Sequence, residues 1–300
     1  MNSSHLVATL TAFCLMLAAT CQAQAQQSQS LATSPPKLLL LVRQSFQPGK
    51  VSARQKLDMA MSRACDRITV PNSWIDLEPI TGPGQSRLSF DPFDSFEEID
   101  QAGAAWASIF SEPSGVAKLQ DQIQALVTSE QTVIAVRRDD VGYRANSIDL
   151  SKARIMRVLE VRLHPGHEND FIEAFKTLGA AYEKINSDTP WVVYQVNVGM
   201  PSPAFLVFVP MKALRQNDDL LARQKSLRDA EGESGIARMQ QIARDAYAST
   251  ESNLYAISPE MSHVSKEFAA SDPDFWTLKP APVQGKPATN KARSAPPTKN

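Results

Sequence analysis

Sliding the 300-residue chain against itself by 117 residues brings several independent landmarks into register. Pro48-Gly49 falls on Pro165-Gly166, Trp74 on Trp191, Gly82 on Gly199, and Leu88 and Phe90 on Phe205 and Val207. Farther along the offset becomes 120, pairing Val116, Leu119 and Leu126 with Ile236, Met239 and Ala246, as a three-residue insertion near 228–234 would produce. A period this long marks a duplicated domain, because solenoid units run about 20–50 residues. The chain is expected to build one structure twice.

Each copy yields the same order of elements. In the second, RIMRVLEVRL (154–163) is rich in branched apolar residues and reads as a strand, and Pro165 then stands where a first helical turn tolerates it. Phe171, Phe175, Leu178, Tyr182 and Ile185 recur at steps of four and three, which places them on one helix face. Strands at 191–198 and 204–209, helices at 211–229 and 235–247 and a strand near 252–257 complete a β-α-β-β-α-α-β unit. The first copy repeats it: strand 38–46, helix 50–68, strands 73–80 and 86–91, helices 94–110 and 114–127, strand 132–138. The expected fold class is α+β, with a first domain over 37–145 and a second over 152–260. Helices cover one face of each four-stranded antiparallel sheet, and the bare faces close on one another about a pseudo-twofold axis.

The stretch VLEVRLHPGHENDFIEAF (158–175), a strand, a Pro-Gly turn and an amphipathic helix, resembles the dimeric α+β barrel superfamily of ferredoxin-like domains. That grouping includes antibiotic-biosynthesis-type monooxygenases, haem-degrading monooxygenases, chlorite-dismutase-like proteins and the NIPSNAP group. The resemblance covers about 38–258 and implies an intramolecular pseudo-dimeric α+β barrel made of tandem ferredoxin-like domains. It implies no single activity, because this fold hosts unrelated functions. Its haem-degrading members look to a helix histidine for axial ligation, and neither first helix here has one beyond its opening turn. No catalytic residue is carried over; no cofactor is expected, and haem is the alternative.

Strand alternation then assigns faces. Ile155, Leu159, Val161 and Leu163, with Val192, Tyr194, Val196 and Val198, are expected under the helices. The opposite, more polar face carries Glu160, Arg162, Trp191, Gln195 and Asn197 in the second copy and Arg43, Ser45, Trp74, Asp76 and Glu78 in the first, with Ile75 and Leu77 pointing away. If the sheets meet, Arg43 and Glu160 occupy related positions with opposite charge, which suggests an ion pair. Arg43, Trp74, Asp76, Glu78, Glu160, Arg162, Trp191, Gln195 and Asn197 are the candidate lining of a small-ligand pocket.

Other chemistry is sparse. The sequence has no Gly-x-Ser-x-Gly, His-Glu-x-x-His, Cys-x-x-Cys or Gly-x-Gly-x-x-Gly. His164 and His167 flank the second Pro-Gly turn, but a metal needs three or four ligands and the remaining histidine beyond the first 25 residues is His263. No metal is expected, and Glu168 and Asp170 read as residues of a helix N-terminus. Cys65 falls on the apolar face of a helix and reads as packing.

The ends differ from the middle. Residues 1–25 carry an apolar run from Leu6 to Thr20 followed by Ala23-Gln24-Ala25, a signal-peptide pattern with cleavage near Ala25; a lipoprotein site at Cys21 matches less well. Residues 26–36 read as a linker and 261–278 as a C-terminal extension. Residues 279–300 hold five basic residues, five prolines and no acid, a tail that cannot pack. The net charge of −1 gives no basic footprint for nucleic acid, and no segment reads as a transmembrane span. These readings favour an exported monomer that binds a small molecule or a protein partner without catalysis. The alternatives are an oxygenase-like or haem-handling enzyme of the same fold and an assembly protein.

Overall fold

A computed structural model describes residues 32–111 and 114–277; the expected signal segment, residues 26–31 of the linker and the basic tail 279–300 lie outside them. The first half runs β1 (Leu38–Phe46), α1 (Val51–Cys65), β2 (Trp74–Pro79), β3 (Ser86–Phe93), α2 (Phe96–Ser111), α3 (Gly115–Gln124) and β4 (Val127–Arg137). The second runs β5 (Ile155–Leu163), α4 (Glu168–Lys184), β6 (Val192–Val198), β7 (Ala204–Met211), α5 (Gln216–Ala222), α6 (Gln224–Ala246) and β8 (Tyr247–His263). Two short helices, α7 (Lys266–Ala270) and α8 (Pro273–Trp276), follow. Among the described residues no helix is long and apolar enough to cross a membrane.

The repeat is literal at the level of local structure. β1 and β5 are each nine residues long, and buried and half-buried positions follow in the same order along both. Each then enters its helix through a Pro-Gly turn whose glycine has positive φ, +74° at Gly49 and +89° at Gly166. Glycine reaches that conformation without a Cβ clash, so the same dipeptide solves the same strand-to-helix corner twice.

All eight strands close into one antiparallel barrel in the order β1-β3-β2-β8-β5-β7-β6-β4. Two seams join the halves, β2 against β8 and β4 against β6. Strand β8 is long because it serves both: Tyr247 to Ala256 pair with β5, and Tyr255 to His263 pair with β2. Its polar opening, Tyr-Ala-Ser-Thr-Glu-Ser, is mostly exposed, so apolar patterning locates a strand only from about 252. Likewise β4 begins at Val127, and the expected pair of helices over 211–247 is α5 and an α6 kinked at Gly232, where φ is +74°.

Register corrects the expected faces. Arg43 lies opposite Leu88, and Leu88 opposite Leu77, so all three point the same way, into the barrel. Ile75, Leu77, Val192, Tyr194 and Val196 therefore pack in the inner core with Leu41, Phe90, Val158 and Phe208. The helix-side layer of the second half holds Val161, Leu163, Phe171, Phe175, Trp191, Val193, Phe205 and Val207. Strands β2 and β6 are buried on both faces, which erases the alternation that would mark inside from outside. A related slip affects the repeat. Arg43 faces Leu88 while its counterpart Glu160 faces Leu206, so the counterparts of Leu88 and Phe90 are Leu206 and Phe208, not Phe205 and Val207. One additional residue between the second pair of strands turns every side chain of β7 over.

Candidate functional site

With the register settled, the two halves can be compared position by position on the face between sheet and helices. In the second half Val161, Phe171, Phe175, Val193 and Phe205 fill that space, and Phe171 stacks on both Phe175 and Phe205 with ring centroids 4.3 and 4.0 Å apart. The corresponding residues of the first half are Gln44, Arg54, Asp58, Asp76 and Arg87. Apolar packing in one copy is replaced at five positions by polar and charged groups in the other.

Helix α1 supplies the centre of the cluster. Arg54, Asp58, Met61, Ser62 and Cys65 form its inward stripe, so two charges stand where helix patterning would place apolar residues. Arg54 and Asp76 are 1% and 0% exposed. Arg54 Nε donates to Asp58 Oδ2 at 2.8 Å and its Nη2 to Gln44 Oε1 at 2.8 Å. Arg87 donates through Nε and Nη2 to the two carboxylate oxygens of Asp76, and its Nη1 lies 3.3 Å from Gln44 Oε1. Gln44 Nε2 in turn donates to Glu130 at 2.6 Å. The exception is Arg54 Nη1, which is buried and has no hydrogen-bond partner among the described residues.

Burial and pairing act on these groups in opposite directions. Burial pushes Asp76 above the usual carboxylate range, although Arg87 draws it back. Burial works against the Arg87 charge, but Asp76 and Asp58 more than offset it and its pKa is raised. Arg54 is lowered, first by burial and then by the repulsion of Arg87, with Asp58 compensating only in part. Beside the cluster, burial pushes Asp91 up to about 7. Asp91 accepts from Asn72 Nδ2 at 3.0 Å, and Asn72 Oδ1 accepts from Trp106 Nε1 at 2.7 Å.

Gln44, Arg54, Asp58 and Arg87 of this cluster form the polar side of a cleft of about 150 Å³ between the sheet and the helices of the first half. Met61, Trp74, Trp106, Phe110 and Ile123 form its apolar side. Trp74 and Trp106 stand 6.3 Å apart between centroids, and Trp106 stacks on Phe110 at 5.2 Å. The Trp74 indole is pinned by Nε1 donating to Met261 O at 2.9 Å.

No protein-family model matches the chain, and no curated protein sequence matches it. Among solved structures it is similar to an anthrone oxidase-like protein, with TM-score 0.50 and 11% identity over 77% of this chain and 94% of that one. A chlorite dismutase variant from Candidatus Nitrospira defluvii aligns with TM-score 0.45 and 9% identity over 79% of this chain and 96% of that one. A haem-binding protein from Thermus thermophilus aligns with TM-score 0.40 and 8% identity over 76% and 96%. The chain has the dimeric α+β barrel fold.

In this dimeric α+β barrel the nine residues expected to share one pocket are divided between two faces. Arg43 and Glu160 meet inside the barrel, Nη2 to Oε2 at 3.1 Å, beside a cavity of about 10 Å³, room for roughly one water. Arg162 follows Glu160 on the same face of β5, with its Nε buried and without a partner among the described residues. Trp74, Asp76 and Glu78 lie on the helix side instead, Glu78 accepting from Gln55 of α1 at 3.1 Å. Trp191 is in the helix-side core of the second half; Gln195 accepts from Arg138 at 2.6 Å on the outside of β6, and Asn197 is exposed. The inverted phase of β2 and β6 is the reason for the mixture. Arg54, Asp58, Arg87, Gln44 and Trp106 escaped the sequence reading. The 117 offset already set Arg54 and Asp58 opposite Phe171 and Phe175, a contrast that flags them, whereas the slip in β7 hid Arg87 opposite Phe205.

The other candidates have plain structural places. His164 is exposed, and His167 stands at the N-cap position of α4 without a side-chain cap bond, its Nδ1 2.7 Å from Asp170 Oδ2. Among the described residues no group of three or more His, Cys, Asp or Glu side chains could hold a metal. Cys65 is fully buried beside Met61 and Val70, with its thiol pushed up to about 12 by burial, the state of an inert packing residue. Haem does not fit this cleft: its lining offers iron no imidazole, thiolate or phenolate, only the thioethers of Met61 and Met261. Its volume of about 150 Å³ is that of a single-ring ligand, and in the second half three phenylalanines fill the equivalent space.

Proposed function

We propose that the chain is a small-molecule-binding protein whose ligand occupies the cleft of the first half. The observation that carries this reading is the contrast between copies. Val161, Phe171, Phe175, Val193 and Phe205 show that the fold closes this space with apolar groups alone. Burying Arg54, Asp58, Asp76 and Arg87 there costs several kcal/mol of desolvation per ion, which mutual attraction recovers only in part. A stability role does not account for the exchange, and a recognition role does.

The sister half supplies the test. A variant carrying Gln44→Val, Arg54→Phe, Asp58→Phe, Asp76→Val and Arg87→Phe is expected to fold, to melt at or above the wild-type temperature, and to lose any ligand that native mass spectrometry finds on wild-type protein from its source. Equal ligand retention by both proteins removes the cleft from consideration. Wild-type protein that carries nothing and shows no thermal shift with a metabolite panel sinks the binding reading itself.

An enzyme acting on the same ligand is the second reading, and Asp91 is the observation in its favour. Burial places its pKa near neutrality, where a general base is most effective, and Asn72 links it to Trp106 at the cleft wall. Turnover of a bound ligand by wild type, lost in Asp91→Asn while binding persists, selects this reading; unchanged ligand after prolonged incubation in air rejects it.

A further inference from the structure

Arg54 has more hydrogen-bonding capacity than its surroundings use. Its Nε is taken by Asp58 and its Nη2 by Gln44, and Nη1, on a side chain that lines the cleft, is buried with no acceptor among the described residues. An orphaned buried donor is costly, a charged one most of all, so an acceptor arriving there is strongly favoured. Asp76 is held by two hydrogen bonds from Arg87, which leaves Asp58, among the described residues, as the sole carboxylate hydrogen-bonded to Arg54. Trp74, Trp106 and Phe110 also line the cleft, and about 150 Å³ admits one six-membered ring.

On the reading of this cleft as a ligand site, we infer that its ligand is a single-ring aromatic anion, whose acidic group accepts from Arg54 Nη1 and whose ring lies against Trp74 and Trp106. The acidic group is the specific element. A neutral ring of the same shape fills the apolar side and leaves Nη1 less well compensated, so discrimination between the two follows from a charge-assisted hydrogen bond.

Benzoate and benzamide are the matched probes, titrated into the full chain at pH 7 and followed by tryptophan fluorescence and calorimetry. Benzoate is expected to bind at least tenfold more tightly than benzamide. The double variant Arg54→Phe with Asp58→Phe, which installs the sister residues as a pair and leaves no buried carboxylate without its arginine, is expected to erase the preference. Because that variant alters the core, Phe110→Ala is the companion: Phe110 is 37% exposed, so the fold tolerates the change, and both probes are expected to weaken alike, severalfold. Equal affinity for benzoate and benzamide, both weakened by Phe110→Ala, overturns the anion assignment while leaving the cleft a ligand site. Benzoate binding that survives the double variant overturns the placement on Arg54. A crystal soaked in benzoate that shows only an ordered water on Nη1, with neither probe binding in solution, overturns the inference and the cleft reading together.

Discussion

Arg43 and Glu160 occupy equivalent positions on β1 and β5, and inside the barrel Arg43 Nη2 donates to Glu160 Oε2 at 3.1 Å. The pair therefore straddles the pseudo-twofold relating the halves, where each side chain sits in the environment the other would have in a symmetric ancestor. Glu160 is 15% exposed and Arg43 38%. Arg43→Met leaves the less exposed partner unmatched and is expected to cost about 1–3 kcal/mol. The exchange Arg43→Glu with Glu160→Arg should return to within ~0.5 kcal/mol of wild type in urea unfolding. A double exchange that costs as much as the two single changes together contradicts an equivalent pair of sites.

Asp91 gives stability a defined pH dependence. Its folded pKa of about 7 lies above the ordinary 3.8, so between these values the folded state holds the proton more tightly than the unfolded chain. Its contribution is fully present below the ordinary value and is lost as pH rises through about 7. Asp91→Asn keeps an acceptor for Asn72 and removes the titration. Relative to wild type, the variant is expected to gain about 2 kcal/mol between pH 5 and pH 8. Chemical denaturation at both pH values measures this directly, and parallel curves for the two proteins refute it.

How far the sequence reaches is clearest in these same residues. The ion pair was legible because β1 and β5 keep one register through the repeat and their charges are unambiguous. The helix-side cluster was not, since Asp76 lies on a strand buried on both sides and the counterpart of Arg87, Phe205, lies beyond the added residue that turns β7 over. Periodicity reports which residues alternate; only cross-strand partners report which of two apolar faces is inside. The eight-stranded closure was readable for a simpler reason: each copy has one sheet and helices for only one of its faces, so the other face requires a sheet of the same kind. Nothing in the chain's apolar pattern marks the polar opening of β8, because exposed Ser, Thr and Glu read alike in strands and loops.

Three glycines with positive φ separate backbone conformation from close contact. At Gly49 and Gly166 an added Cβ meets nothing within 4 Å, so alanine there pays only for the left-handed backbone, about 1 kcal/mol at each. At Gly199, φ is +102° and a Cβ would lie 2.1 Å from Thr132 O and 2.7 Å from Val133 Cα, backbone of the neighbouring strand β4. Gly199→Ala is expected to cost several-fold more, about 3 kcal/mol or above, because the β4–β6 seam must open to admit it. Similar melting shifts for all three variants would show that the seam yields easily.

The end of the barrel where β5 begins is closed by elements outside the repeat. Phe268 and Trp276 join Ile148, Leu150 and Ala153 in the inner core, and Trp276 is fixed by Nε1 donating to Ser151 O at 2.8 Å. Asp272 ties the same segment to Arg154, Nη2 to Oδ2 at 2.5 Å, while the Arg154 guanidinium lies 3.8 Å from the centroid of Phe275. Two copies of the domain alone would leave this end of the barrel open, so the short C-terminal helices act as its cover. Trp276→Ala removes a side chain that is 5% exposed and is expected to cost about 3–5 kcal/mol and to raise binding of an apolar dye. Trp276→Phe keeps most of the volume and loses the hydrogen bond, so its cost should be about 1–2 kcal/mol with little dye binding. If both variants melt like wild type, the barrel is closed by its own inner side chains and the C-terminal helices merely rest against it.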